Sequence, residues 1–181
     1  MPKIGNDIEL KWLGLIIRSD LKWSSNTEHI ISKAYKRLWM VRRLKALGAD
    51  TPKLVDVYIK QVRSIMELAV PAWHSSLTGA DTIDIERVQK SALQVILGKS
   101  YTTYNQALMD LNLVTLQERR ILLCEKFSKK AIDHPKHTNW FKPNTKTTIT
   151  RQKGPKYCPV VSRTTRFENS PLRYLINLLN K

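Results

Sequence analysis

The sequence is short of several things, and each shortage excludes something. Cysteine occurs twice, at Cys124 and Cys158. Two cysteines so far apart form neither a disulfide framework nor a metal motif of paired spacing. Cys124 lies in an apolar helical run and reads as a small core residue. Such cysteine usage suits a reducing, intracellular setting, with nucleus and cytoplasm not distinguished. No stretch of about 18 apolar residues occurs, so no transmembrane helix and no membrane partner are expected. The N-terminus, MPKIGNDIEL, has no charged flank followed by an apolar stretch and does not read as a signal peptide. Nowhere do two aspartates stand side by side, and no internal repeat is visible. Acids are scarce: 15 Asp and Glu face 31 Lys and Arg, a formal net charge of +16. An excess of that size suggests a polyanion partner, such as DNA, RNA or an anionic surface.

What is present suits one domain of ordinary size. The 181 residues are 42% hydrophobic, enough for a real core. Residues 9–17, ELKWLGLII, are short, β-branched and aromatic with Gly14 inside, and read as a strand whose partner is lost or just upstream. A strand detached from its sheet presents bare amides, so a chain starting near Ser24 should be at least as soluble as the whole. SDLKW follows as a turn and a second short extended piece. A first helix is expected from Ser25 to Leu47, closed by Gly48. Ile30, Ile31, Ala34, Leu38 and Val41 fall on one side of it, and Lys33, Lys36, Arg37 and Arg43 on another. Arg42 and Lys45 lie nearer the apolar side and are expected to pack by their stems.

A second helix should begin with Thr51 as N-cap and Pro52 at the first helical position. Its stripe is Leu54, Tyr58, Val62, Ile65 and Ala69, with Pro71 ending or kinking it. A third spans Asp81 to Leu97 before Gly98, and a short one Tyr104 to Leu111. A last long helix opens with a Thr115–Glu118 capping box and runs to Ile132. From His134 to Phe167 there is no acid, and prolines and threonines break any periodicity, so this stretch reads as a basic loop or disordered tail. A short helix from Ser170 and Pro171 closes the chain. The expected fold is mainly α: a bundle of about five helices with a short N-terminal β element and a basic irregular C-terminal tail. The expected divisions are a β hairpin remnant (1–23), a helical domain (24–133), the basic loop or disordered tail (134–168) and a short C-terminal helix (169–181).

Several strings line up in order: WLG (12–14) with SDLKW (19–23), HIISKAYKRLWMVRRLKALG (29–48), TPKLVDVYIKQVRSIMELAVPAW (51–73), IERVQKSALQVILG (85–98), ALMDLNLVTLQERRILLCEKFSKKA (107–131) and RFENSPLRYLINLLN (166–180). This series resembles the C-terminal part of the reverse transcriptases of non-LTR, LINE-like retrotransposons, over most of the chain. The resemblance implies the end of a palm followed by a thumb, the helical part that lies along the template–primer duplex. Leu13 and Gly14 match the LG of the hairpin that grips the primer end, and Trp23 matches its downstream tryptophan. Trp12 stands where the family more often has another aromatic. The family's polymerase carboxylates belong to an aromatic-x-Asp-Asp motif, which this chain lacks, as it lacks fingers and most of the palm. The family's RNA-directed DNA polymerase activity therefore does not carry over to this chain alone.

Other chemistry finds little support. Paired carboxylates are needed to hold the metal ions of phosphoryl transfer. Asp81, Asp84 and Glu86 read instead as acids meeting a helix dipole. His134 and His137 read as solvated loop residues. No catalytic residue, metal site or cofactor is expected. Lys33, Lys36, Arg37 and Arg43 are the candidate phosphate-binding set, since almost no acid interleaves them. Trp12 and Trp23 either stack on a primer base or bury against the helices. Trp39 and Trp73 read as core anchors. Arg119, Arg120, Lys126, Lys129 and Lys130 form a more dispersed basic pattern. The expected function is template–primer binding as a thumb, with RNA or an RNA–DNA hybrid as partner and a separate palm and fingers polypeptide as another; oligomeric state is not legible. The alternatives are a helical protein-interaction module, or a decayed reading frame without function.

Overall fold

The computed structural model describes residues 9–137, 139–144 and 155–180; Lys146, Arg151 and Lys153 of the basic stretch lie outside them. The chain is mainly helical and divides into two compact units, Met1–Leu68 with Leu77–Arg119, and Ala69–Ser76 with Arg120–Lys181. The change of composition near Asp133 thus falls inside the second unit.

The first unit opens with a hairpin. Strands β1 (Glu9–Trp12) and β2 (Leu15–Arg18) pair antiparallel, with Trp12 opposite Leu15 and Glu9 opposite Arg18. The short N-terminal β element is thus a hairpin, but 9–17 is not one strand with its partner lost or just upstream: Glu9–Arg18 supplies both strands. The turn between them is left-handed at Leu13 (φ 47°) and Gly14 (φ 86°). Two such residues in succession make the turn whose twist matches a two-residue hairpin. A Cβ at Gly14 would also come within 3.1 Å of Leu68 Cδ2, so glycine meets both a conformational and a steric demand there.

Nor does the hairpin stand detached. The Ile16 amide donates to Asn26 Oδ1 at 3.1 Å, and the Ser25 hydroxyl donates to Glu9 Oε1 at 2.6 Å. Asn26 is buried, and all of β2 is half-buried. The start of the first helix therefore accepts from the hairpin's backbone. Removing the hairpin would orphan those groups, so a chain starting near Ser24 should lose stability rather than gain solubility.

Helix α1 (Ser24–Ala46) buries Ile30, Ala34, Leu38 and Val41. It closes as a Schellman motif: the Gly48 amide donates to Lys45 O at 3.0 Å and the Ala49 amide to Leu44 O at 3.1 Å. The next helical run comprises α2 (Thr51–Val57), a π-helical segment (Tyr58–Arg63) and α3 (Ser64–Met66). Its N-cap is Asp50 rather than Thr51. Its buried residues are Leu54, Tyr58, Val62 and Met66, every fourth residue. The π segment underwinds the run and keeps that spacing on one face, so Ile65 is only half-buried and Ala69 is exposed. The run stops before Pro71, because Ala69 turns left-handed (φ 50°). Pro71 instead sits in the first turn of α4 (Val70–Trp73), where its missing amide costs nothing.

Helix α5 (Gly79–Leu97) starts two residues before Asp81, because Thr78 is the N-cap in a capping box with Asp81. It packs on α1 through Ile85, Val88, Ala92, Leu93 and Ile96. A buried polar chain ties it to α6 (Tyr104–Asp110) and to the start of α7 (Leu116–Ile132). The Tyr58 hydroxyl donates to Gln89 Oε1 at 2.6 Å. Gln89 Nε2 donates to Val114 O and Tyr104 Oη, both at 2.9 Å. Glu86 accepts from the Tyr104 hydroxyl and from the Leu116 amide. Burial first, then Glu86, raises the Tyr104 phenol. The expected Thr115–Glu118 capping box is present, with bonds of 3.1 and 3.2 Å.

The second unit gathers the rest of α7 with α4, α8 (Thr165–Glu168) and α9 (Pro171–Leu179). Trp73, Cys124, Leu175 and Ile176 are buried there. His74 lies 3.2 Å from Tyr174 Oη, and Arg120 Nε approaches its Nδ1 at 3.4 Å. Burial first, then the Arg120 charge, pushes the His74 imidazole down to about 4. The stretch expected as loop or tail is irregular but folded in its described parts. Phe141 and Tyr157 are buried and meet edge to face at 6.3 Å. Asn180 closes on the Tyr157 backbone, accepting from its amide at 2.8 Å and donating to its carbonyl at 3.0 Å. Prolines remove periodicity, but two aromatic anchors and one side-chain clamp do not need it.

Candidate nucleic-acid interface

The first unit carries one face on which positive charge is left unbalanced. Lys33, Lys36, Arg37 and Arg43 are all exposed on α1. None has a carboxylate within salt-bridge distance among the described residues. Several other cations in this unit are matched: Lys53 with Asp50 at 3.3 Å, Lys60 with Asp56 at 2.7 Å, Arg119 with Glu67 at 2.9 Å, and Arg87 with Asp84; exposed Lys22, Lys90 and Lys99 are scattered over other elements without such a pair among the described residues.

His29 reports the field of this face. Burial, then the charges of Lys11, Lys33 and Lys36, lower its pKa. Lys11 on β1 thus belongs with the α1 cations. The sequence hid it, because a lone lysine in a short strand carries no periodic signal until the hairpin is seen to dock on α1.

Two aromatic side chains complete the face. Trp39 was expected in the core but is 63% exposed, and Tyr35, one turn earlier, is exposed too. Within LWMV it is Leu38 and Val41 that join the buried stripe, so the apolar context misplaces the indole. Trp39 stands three residues after Lys36 and four before Arg43, and residues so spaced are surface neighbours. Arg42 is exposed, correcting its expected packing. Lys45 does pack, with Nζ donating to the Ile96 carbonyl.

Of the primer-grip-like set, Leu13 and Gly14 form the hairpin tip. Leu13 is 84% exposed and Trp12 beside it about half exposed, whereas Trp23 is half-buried just before α1. Trp73 is fully buried, as expected of a core anchor. On α7 the dispersed basic pattern breaks up: Arg119 is paired and Arg120 is buried, leaving Lys126, Lys129 and Lys130 exposed.

The remaining candidates have structural duties. Asp81 caps α5, Asp84 pairs with Arg87, and Glu86 is the acceptor of the buried polar chain rather than a helix-start acid. His134 is exposed, but His137 is half-buried with its ring 4.9 Å from that of His134 and 4.2 Å from that of Trp140. Burial pushes the Cys124 thiol up to about 12, in keeping with a core residue. Among the described residues, no three His, Cys, Asp or Glu side chains converge as metal ligands, and no helix is long and apolar enough to cross a membrane. No family model, curated protein or solved structure matches the chain.

Proposed function

We propose that the first unit binds duplex nucleic acid, in the manner of a polymerase thumb lying along a template–primer hybrid. What carries this reading is the α1 face, with four exposed cations free of carboxylate partners on a helix of 23 residues. From Lys33 to Arg43 the helix rises about 15 Å, long enough to follow several successive phosphates of one strand. Phosphates carry no base code, so the contact is insensitive to sequence. Trp39 and Tyr35 supply flat apolar surface beside the cations, suited to packing on sugars or a terminal base. Binding is the whole of the assigned role; polymerase chemistry would belong to a separate palm and fingers polypeptide.

The test is affinity for an RNA–DNA hybrid after neutralising charge in the full chain. Replacing Lys33, Lys36, Arg37 and Arg43 by Gln should weaken binding well beyond the effect of replacing the paired Lys53, Lys60 and Arg87. Equal losses from the two sets would reject the α1 face as the site. Trp39 also favours a second reading, a helical protein-interaction module, because an exposed indole flanked by cations makes a good interface anchor. A protein retained after nuclease treatment and released by Trp39→Ala would select it.

A further inference from the structure

The second unit holds an apolar cleft of about 670 Å³ that the α1 site does not use. Pro71, Leu172 and Leu175 form part of its wall, and three aromatic rings line it: Phe127 of α7, Trp140, and Phe167 of α8. Each ring is well exposed, at 38%, 42% and 40%. Side chains of this size, if not required by packing, normally turn inward, and three gathered in one cleft mark a place where something apolar and flat belongs.

Charge narrows what that is. The second unit contains fourteen lysines and arginines against three acids. Lys130 stands one turn from Phe127, Lys126 precedes that ring, Lys136 lies near His137, and Lys142 follows Trp140 closely; all four lysines are exposed. Of the three acids, Glu168 pairs with Arg173 at 3.5 Å and Glu125 is half-buried; the cleft lining itself carries neither acid nor lysine among the described residues, so the charge comes from the elements around it. A ligand that offers flat apolar faces joined by negative charge matches both features. Duplexes keep their base faces covered by stacking, so only an unpaired strand has such faces to offer.

We propose that the cleft framed by Phe127, Trp140 and Phe167 is a second nucleic-acid site, which takes unpaired bases of a single strand while the surrounding lysines hold its phosphates. A ladder of rings already leads into it: His134 on His137 at 4.9 Å, and His137 on Trp140 at 4.2 Å, tilted by 33° and 36°. An incoming base extends that ladder rather than starting a new stack. Among the described residues, the Trp140 indole and Ser170 supply the polar side chains of the lining, too few donors and acceptors to read base edges. Binding there should accept every base, as stacking platforms do. The site is independent of the α1 face, and its failure would leave that reading intact.

The full chain should be titrated with an oligothymidylate of roughly 12 nucleotides and with an abasic strand of equal length and charge. Stacking predicts at least about tenfold tighter binding of the strand that carries bases. Replacing Phe127 and Trp140 together by Ala should abolish that difference. Trp140→Phe should keep most of it, Val161→Ala, exposed outside the cleft lining, all of it, and affinity for an RNA–DNA hybrid should not change. Phe167→Ala, on a separate short helix, serves as a second variant should the double one fail to fold. Equal binding of abasic and base-bearing strands would overturn the proposal and leave the cleft to apolar side chains of a protein partner. A base preference that survives loss of the rings would overturn it too.

Discussion

The two units carry similar numbers of cations and very different numbers of acids. The first has seventeen lysines and arginines and twelve acids; the second has fourteen and three. The smaller excess is the more sharply placed. In the first unit several lysines and arginines have an acid partner, as between Lys60 and Asp56 or Arg119 and Glu67, whereas four unpaired cations share one face of α1 with Lys11 beside it. An exposed ion pair such as Lys60–Asp56 adds little stability, but it cancels field where it is not wanted. In the second unit cations outnumber acids almost five to one along the sequence, and no one helix gathers them among the described residues. If it holds a strand, the rings of the cleft must fix the position. Net charge alone would have ranked the units the wrong way round as sites of defined geometry.

The sharpest way to break this comparison is to damage the scaffold that presents α1. Leu38 is fully buried on the opposite side of that helix from the cations. Leu38→Ala should cost about 2–5 kcal/mol in urea unfolding, since the cavity cannot collapse between two long helices. A cost below about 1 kcal/mol would mean that α1 is not the core element described. Asn26→Ala should come next, at about 1–3 kcal/mol, because it removes a buried side chain and leaves the half-buried Ile16 amide without its acceptor. A variant as stable as the parent would show the hairpin to be an ornament on α1.

The sequence revealed α1, α5 and α7 to within two residues or so, because their apolar spacing and their caps repeat the same message. It missed features that depend on two segments at once. Residues 9–17 read as one strand, since the left-handed turn at Leu13 and Gly14 is an ordinary pair of letters until both halves are seen to pair. The four-residue spacing of Leu54, Tyr58, Val62 and Met66 was plain in the letters, but an α-helical template favoured Ile65 and Ala69. The α1 cations were legible, being on one helix. The cleft was not, because Phe127, Trp140 and Phe167 come from three elements separated by a stretch without periodicity.

In the second unit the expected effects are smaller and sharpen the contrast. His74 stays neutral down to about pH 4 when folded, whereas an ordinary imidazole takes its proton near 6.5. Its contribution to stability is therefore complete above about pH 6.5 and is lost as pH falls through about 4. His74→Gln should flatten the decline of stability across that window, and an unchanged slope would remove His74 as its cause. Cysteine reactivity gives the smallest readout. Cys158 is exposed and should label with a thiol reagent at once, whereas Cys124, buried with its thiol raised to about 12, should label only as the unit opens. Equal rates at both would deny the second unit a packed core.

The salt dependence of hybrid binding tests the central claim most directly. The slope of log affinity against log salt should be measured for the full chain, for Lys33, Lys36, Arg37 and Arg43 reversed to Glu, and for Lys53, Lys60 and Arg87 reversed to Glu. For every phosphate that a reversal leaves without its cation, the slope should become shallower by up to about 0.9 on a B-form duplex and by a comparable amount on a hybrid. The account predicts a weaker and distinctly flatter response for the α1 reversal, with the other reversal retaining nearly the parental slope. An α1 reversal that keeps the parental affinity and slope would contradict it and leave that surface a solvated helix face.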